Sequence, residues 1–346
     1  MFFKVANLAQ LSAFDEIIDV RSPAEFAEDH IPGAINCPVL DNEERIRVGT
    51  LYCQQSPFEA RKVGAVLVAR NIAHHIETRF HDRPKSWRPL IYCWRGGQRS
   101  ASMALIMGQI GWPAHQLEHG YKAYRHQVID DLERVPAGLD FRVLCGPTGS
   151  GKSRFLAALA RNGHQVVDLE GIASHKGSVL GNLPDTPQPT QKRFETLLRQ
   201  QLLKLSPSRP VYIEAESRTI GRLSLPNALL ERMRTAPCLL LEVPMAERVR
   251  FLLRDYDYFI RKPDLLLPQI DRLKSHYPRE QLEHWKNLIY EGQFPGLVAE
   301  LLEYHYDPLY CRSTGKHFAQ QDRAQVLRPI NLSDDTLDQT AQLGYL

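Results

Sequence analysis

Nine residues, Tyr92-Cys93-Trp94-Arg95-Gly96-Gly97-Gln98-Arg99-Ser100, hold a thiol, two glycines and two arginines. They lie between a short apolar run, Pro89 to Tyr92, and a helix-like one, Ala101 to Met107. A thiol at such a strand-to-helix turn faces unpaired amides and the positive end of a helix, both of which favour the thiolate. Gly96 and Gly97 allow the tight curl that turns amides inward, and Arg95 and Arg99 add positive charge. With Trp94, Gln98 and Ser100 they form an anion-binding cradle around Cys93, suited to attack on, or carriage of, a group attached to an oxyanion. Buried packing is the competing reading of a strand-end cysteine, and it is the one adopted for Cys145 and Cys238.

About fifty residues further on, Gly146-Pro147-Thr148-Gly149-Ser150-Gly151-Lys152-Ser153 satisfies G-x-x-x-x-G-K-[ST], with a strand pattern before it and a helix pattern after. Its amides and the helix dipole cradle phosphate, Lys152 reaches the outer oxygens, and Ser153 is the usual Mg2+ ligand. The motif reads a di- or triphosphate and not a base, so ATP hydrolysis does not follow from it. Candidate acids for the facing wall are Asp168, Glu170, Glu214 and Glu216, joined by Arg218. Each is equally readable as a strand-end carboxylate, a helix cap or part of a salt-bridged core.

The elements that must position these loops alternate. Glu16 to Val20 reads as a buried strand, followed by a helix capped by Ser22, with Pro23 at its start and Glu25 in its first turn. His30 to Asn36 is a turn into another short strand, with His30 a structural turn histidine. Glu59 to His74 is a helix and Pro89 to Tyr92 a strand. Val135-Pro136-Ala137-Gly138 interrupts the pattern as a hinge. Strands then follow at Phe141 to Cys145, Gln165 to Leu169, Pro210 to Ala215 and Cys238 to Val243. From about residue 245 the chain turns helical and rich in Arg, Tyr and His. Short apolar strands alternating with helices imply mostly parallel sheets covered on both faces.

The bulk numbers agree with this and exclude other classes. At 346 residues two domains are expected, and 43% hydrophobic with 24% charged residues is ordinary for a globular protein. A net charge of +3 neither demands nor forbids a polyanionic partner. The six cysteines show no C-x-x-C pair, so neither a zinc site nor a disulfide framework is expected, and no resident metal is assigned. Neither a signal-peptide pattern nor a membrane-length apolar run is present, which points to the cytoplasm.

C-x-x-G-x-x-R-[ST] resembles the loop of cysteine-dependent phosphatases, whereas single-domain rhodaneses have a loop one residue shorter. The upstream Asp19-Val20-Arg21-Ser22-Pro23-Ala24-Glu25-Phe26 and Asp29-His30-Ile31-Pro32-Gly33-Ala34-Ile35-Asn36 resemble the rhodanese signature, and Tyr92 stands where a phosphatase has His. Residues 1–136 are therefore identified as a rhodanese-like domain with an enlarged loop. Residues 137–346 resemble a P-loop NTPase-like parallel-sheet domain with a helical C-terminal extension from about 245. The combination resembles the tRNA 2-selenouridine synthases, supported locally by Asp168-Leu169-Glu170-Gly171 and Glu214-Ala215-Glu216-Ser217-Arg218-Thr219-Ile220-Gly221.

That resemblance implies exchange of the sulfur of wobble 2-thiouridine in tRNA for selenium from selenophosphate, through an S-geranyl intermediate made from geranyl diphosphate. It implies Cys93 and Arg99 acting on selenophosphate, Lys152 on the leaving diphosphate, and a selenophosphate-producing enzyme as a further partner. No tightly bound cofactor is expected, while ATP and Mg2+ stay open as ligands of the P-loop. Arg248, Arg250, Arg254, Arg261 and Lys262, interleaved with Tyr256 and Tyr258, suit an unpaired anticodon loop, or equally a solvated helix face with buried tyrosines. Trp94 is readable as a prenyl-channel wall or, more simply, as a core residue. Two other functions remain open. One is a sulfurtransferase or phosphatase-like enzyme coupled to an ATP-dependent small-molecule kinase. The other is a regulatory anion-binding module, against which the intact Cys93 argues.

Overall fold

The computed structural model describes residues 3–178, 180–317 and 323–342. The chain divides into two compact units, Met1–Asp131 and Leu132–Leu346.

The first unit runs β1 (Lys4–Ala6), β2 (Glu16–Asp19), α1 (Pro23–Glu28), β3 (Ala34–Asn36), α2 (Asn42–Gln54), α3 (Pro57–His75), β4 (Pro89–Tyr92), α4 (Gln98–Ile110), β5 (His115–Leu117) and the start of α5 (Gly120–Arg134). Its five strands lie in the order β1-β5-β4-β2-β3, every pair parallel. All four residues of β4 are buried, as expected of a central parallel strand with helices on both faces. Helix α1 begins where expected because Ser22 and Glu25 form a reciprocal capping box. Ile18, Ile72, Ile91, Met103 and Met107 meet in the core.

The signature residues upstream of the cysteine are structural. Arg21 is buried, pairs with Asp19 at 2.6 Å and donates to the Asp29 carbonyl at 2.6 Å. Its guanidinium lies 3.9 Å from the Tyr121 ring centroid, and Tyr121 donates its hydroxyl to Asp29 Oδ2 at 2.8 Å. This strut ties the end of β2 to the start of α5. The Tyr92 hydroxyl accepts the Ile31 N–H at 3.1 Å, so it is a buried brace at the position where a phosphatase would present His. His30 bonds the Phe26 carbonyl at 2.9 Å and stacks on that ring, a turn histidine as expected.

The second unit runs β6 (Phe141–Cys145), α6 (Lys152–Arg161), β7 (Gln165–Val167), α7 (Leu169–Ala173), α8 (Gln191–Leu202), β8 (Val211–Glu214), the hairpin β9 (Thr219–Ile220) and β10 (Leu223–Ser224), α9 (Asn227–Thr235) and β11 (Cys238–Leu241). Then come α10 (Met245–Asp255), α11 (Asp257–Arg261), α12 (Leu267–Asp271), α13 (Arg279–Tyr290), α14 (Phe294–Glu300), a wide π turn (Leu301–Tyr306), α15 (Asp307–His317), β12 (Gln325–Leu327) and α16 (Asp334–Ala341). The main sheet has the order β12-β11-β6-β8-β7, again wholly parallel.

Two expectations change here. The strand expected through Leu169 ends at Val167, because Asp168 accepts the Gly171 N–H at 2.7 Å and so starts α7. The C-terminal extension is not wholly helical. The chain returns as β12 beside β11, and α16 packs on α6 through core residues Leu337 and Ala341. The hinge expected at Val135–Gly138 is a 3-10 turn, a few residues past the boundary between the units.

Candidate active sites: a cysteine loop and a phosphate loop

Parallel sheets gather ligand-binding loops at the carboxyl ends of their strands. Cys93 directly follows β4 and is 3% exposed. Its Sγ accepts the Gly97 N–H at 3.3 Å and lies 3.2 Å from Ser100 Oγ. Gly96 holds φ +64°, and a Cβ there would stand 2.8 Å from the Leu117 carbonyl oxygen, so only glycine closes the loop. Gln116 on β5 clamps it by donating to the carbonyls of Gly96 (2.9 Å) and Gly97 (3.1 Å) and to Ser100 Oγ (2.8 Å). The cleft above the sulfur is lined by Arg45, Cys93, Trp94, Arg95, Gly97, Gln98 and Arg99.

Arg99 donates to both oxygens of Glu25, at 2.7 and 3.3 Å, and Arg45 stands 3.9 Å from the same carboxylate. Burial alone would raise the Glu25 pKa. The bond and charge of Arg99 outweigh it, with help from the Ser22 amide and Arg45, and hold the group below its usual range. Glu25 thus stays ionised, and three guanidiniums against one carboxylate leave the cleft cationic.

In the second unit Lys152 donates to the Gly146 carbonyl at 2.8 Å, across the mouth of the loop. Ser153 donates its hydroxyl to Glu170 Oε2 at 2.7 Å. Burial, then the charge of Glu170, pushes Glu216 up to about 8, and the two carboxyls are hydrogen-bonded to each other. Burial likewise raises Glu170. Glu216 is therefore largely protonated at neutral pH, which lessens repulsion of a phosphate anion beside Lys152. Glu214 is fully buried and kept well above its normal range by that burial. Its Oε2 accepts the Leu169 N–H at 3.0 Å. The cleft is roomy and lined by Gly146, Thr148, Lys152, Ser153, Asp168, Glu170, Glu216 and a cover of residues 174–178. Ser153 and Glu170 supply hard oxygens of the kind Mg2+ takes alongside water and ligand phosphates. Among the described residues no three His, Cys, Asp or Glu side chains converge into a protein-only metal cage.

Comparison with known proteins follows the same division. Residues 4–127 match the rhodanese-like domain, and residues 139–264 match the AAA domain of tRNA 2-selenouridine synthase. A tRNA 2-selenouridine synthase of Marinobacter nauticus is 36% identical over 327 residues, covering 85% of this chain and 87% of that one. Those of Bdellovibrio bacteriovorus and Alcanivorax borkumensis are each 31% identical, covering 86% and 91% of this chain and 88% and 95% of theirs. The chain belongs to the tRNA 2-selenouridine synthase family.

Within this tRNA 2-selenouridine synthase family member, several residues take other places than the sequence suggested. Arg248 is not a surface cation. It is 5% exposed, pairs with both oxygens of Asp307 at 2.9 and 2.6 Å, and donates Nε to the Thr148 carbonyl at 2.9 Å. It therefore braces the phosphate loop and cannot face RNA. Arg250, Arg254, Arg261 and Lys262 are exposed, with Arg250 paired to Glu247 and Arg261 to Asp257. Tyr256 and Tyr258 are half-buried, the plainer of the two readings. Arg218 is exposed and stands outside the residues lining the phosphate cleft. Asp168 both caps α7 and lines the cleft, while Glu214 holds the wall from behind. Trp94 packs on Tyr121, ring centroids 5.4 Å apart, and edges the cysteine cleft.

Sequence reasoning missed Arg45, Gln116 and the cover at residues 174–178. The first two reach the cysteine loop from α2 and β5, with no local motif to flag them. No helix among the described residues is long and apolar enough to cross a membrane.

Proposed function

We propose that this protein is an enzyme that converts wobble 2-thiouridine of tRNA to 2-selenouridine in two chemical steps. The single observation that carries this reading is the Cys93 cleft. A thiol held by an amide and a hydroxyl lies at the floor of three arginines, in a chain that also carries a complete phosphate loop.

In the first step the thiocarbonyl sulfur bonds to C1 of geranyl diphosphate. The C1–O bond breaks with its electron pair leaving on diphosphate, and the N3 proton is lost. Lys152 and the loop amides stabilise the departing charge. Alkylation matters because a thiocarbonyl sulfur is a poor leaving group, whereas an S-alkyl sulfur departs as a thiol. In the second step the Cys93 thiolate bonds to the phosphorus of selenophosphate, and the P–Se bond breaks with its electron pair on selenium. That selenide bonds to C2, the C2–S bond breaks, geranyl thiol leaves with a proton, and water releases phosphate from Cys93. Arg45, Arg95, Arg99 and the loop amides hold the phosphate of selenophosphate while Cys93 frees its selenium. The loop, one residue longer than that of an ordinary rhodanese, suits a tetrahedral anion.

Mass spectrometry of tRNA nucleosides tests the reading. Cys93→Ser should stop at S-geranyl-2-thiouridine, and Lys152→Ala should leave 2-thiouridine unmodified. Normal selenouridine from either variant would overturn the assignment of that loop. A nucleotide-hydrolysing protein that leaves tRNA nucleosides unchanged would favour the sulfurtransferase-plus-kinase alternative.

A further inference from the structure

Beside the phosphate cleft lies a slot whose walls are almost wholly carbon. It is formed by α10, α11, α14 and the wide turn Leu301–Tyr306, with Leu253, Ile260, Val298 and Leu301 among its lining residues. It is not a sealed packing void. Thr148, Ser178, Leu252, Tyr256 and Tyr306 line both the slot and the phosphate cleft, so the two adjoin along these side chains. The junction falls on the phosphate loop itself: Gly149 holds φ +80°, and a Cβ there would stand 2.9 Å from Leu252 Cδ1. Ser178, Tyr256 and Tyr306 stand together at the mouth, and burial raises both phenols, so neither carries charge at neutral pH. What remains facing the slot is aliphatic and aromatic surface.

A nucleotide does not suit this arrangement. A base or ribose entering the slot would leave its hydrogen-bonding groups without partners, which is costly in an apolar site. A molecule with a diphosphate head and a hydrocarbon tail suits both parts at once. We propose that the slot is the binding site for the apolar tail of the diphosphate held by residues Gly146–Ser153, and that it takes a short isoprenoid chain. Residues on α10 and α14 therefore govern the choice of tail. The inference rests on the reading that the phosphate loop holds geranyl diphosphate, and it adds where the tail goes and which residues read it.

Equilibrium binding to the full chain tests it, with inorganic diphosphate and geranyl diphosphate as probes. The unaltered protein should bind geranyl diphosphate at least tenfold more tightly than inorganic diphosphate. Val298→Trp, which fills the slot from α14, should abolish that preference while leaving inorganic diphosphate binding unchanged, the second probe showing that the phosphate unit is folded. Leu253→Trp obstructs the slot from α10 and should do the same. Equal affinity for the two probes in the unaltered protein would overturn the proposal, as would a preference that survives in both variants. The two readings fail separately. Tail-dependent binding without any S-geranyl nucleoside would sink the proposed transfer and leave the slot standing. S-geranyl product from a protein whose preference ignores both tryptophans would sink the slot alone.

Discussion

Arg45 shows how a single side chain completes a site whose other members are close in sequence. It comes from α2, far from the loop that carries Cys93, Arg95 and Arg99, and it is partly exposed, so its guanidinium is free to swing toward an anion. Its bond to Glu25 is weak at 3.9 Å, whereas Arg99 is held tightly. A charge-assisted hydrogen bond contributes about 1.5–3 kcal/mol, and solvent screening at a cleft mouth brings this to the low end. Arg45→Ala should therefore raise KM for the selenium donor about tenfold, with S-geranyl formation unchanged. Steady-state kinetics with each substrate varied will check this, and an unchanged KM for the selenium donor would remove Arg45 from the site. The Cys93 loop was legible because strand, glycines and helix lie in one continuous stretch. Arg45 was not, because helix α2 contains no motif and its relation to Cys93 exists only after the sheet has formed.

At the scale of elements, helix α10 links the phosphate loop to the helical region. Arg248, in its first half, holds the Thr148 carbonyl with one nitrogen and Asp307 at the start of α15 with two others. Removing one partner of a buried ion pair leaves an uncompensated charge and costs about 3–5 kcal/mol. Arg248→Ala should destabilise the second unit by that order and loosen diphosphate binding. Denaturant titration of the full chain gives the measurement, and a loss below about 1 kcal/mol would contradict the role. Lysine would not restore it, since three donors from one planar group are used. Most elements could be read from local chemistry: the capping box at Ser22, the buried run at β4 and the glycine pattern at Gly146 each specify their own geometry. Helix α10 was readable as a helix but not in its orientation. Arginine is rarely buried, so Arg248 looked like a surface cation until its partner fifty-nine positions away came into view. Strand β12 escaped notice for a related reason, since three residues beyond a long helical region are marked as a strand only by pairing with β11.

At the scale of the whole molecule, each unit has its own parallel sheet, its own core and its own anion loop at the carboxyl ends of its strands. The proposed chemistry divides the same way. Lys152 and its loop serve carbon–oxygen cleavage, and Cys93 and its loop serve exchange at C2. An S-alkylated uridine is a covalent product of the first step and survives release into solution. The two steps should therefore be separable between molecules. Cys93→Ser protein lacks only the second step and Lys152→Ala protein only the first, so each retains the loop the other has lost. Mixed together with thiolated tRNA, geranyl diphosphate and selenophosphate, they should form selenouridine, while neither forms it alone. Dilution at a fixed ratio of the two proteins should slow the product, since the intermediate must travel from one molecule to the other. No selenouridine from the mixture, with S-geranyl tRNA accumulating, would mean that the intermediate is passed on only within one chain, and would contradict two independently working clefts.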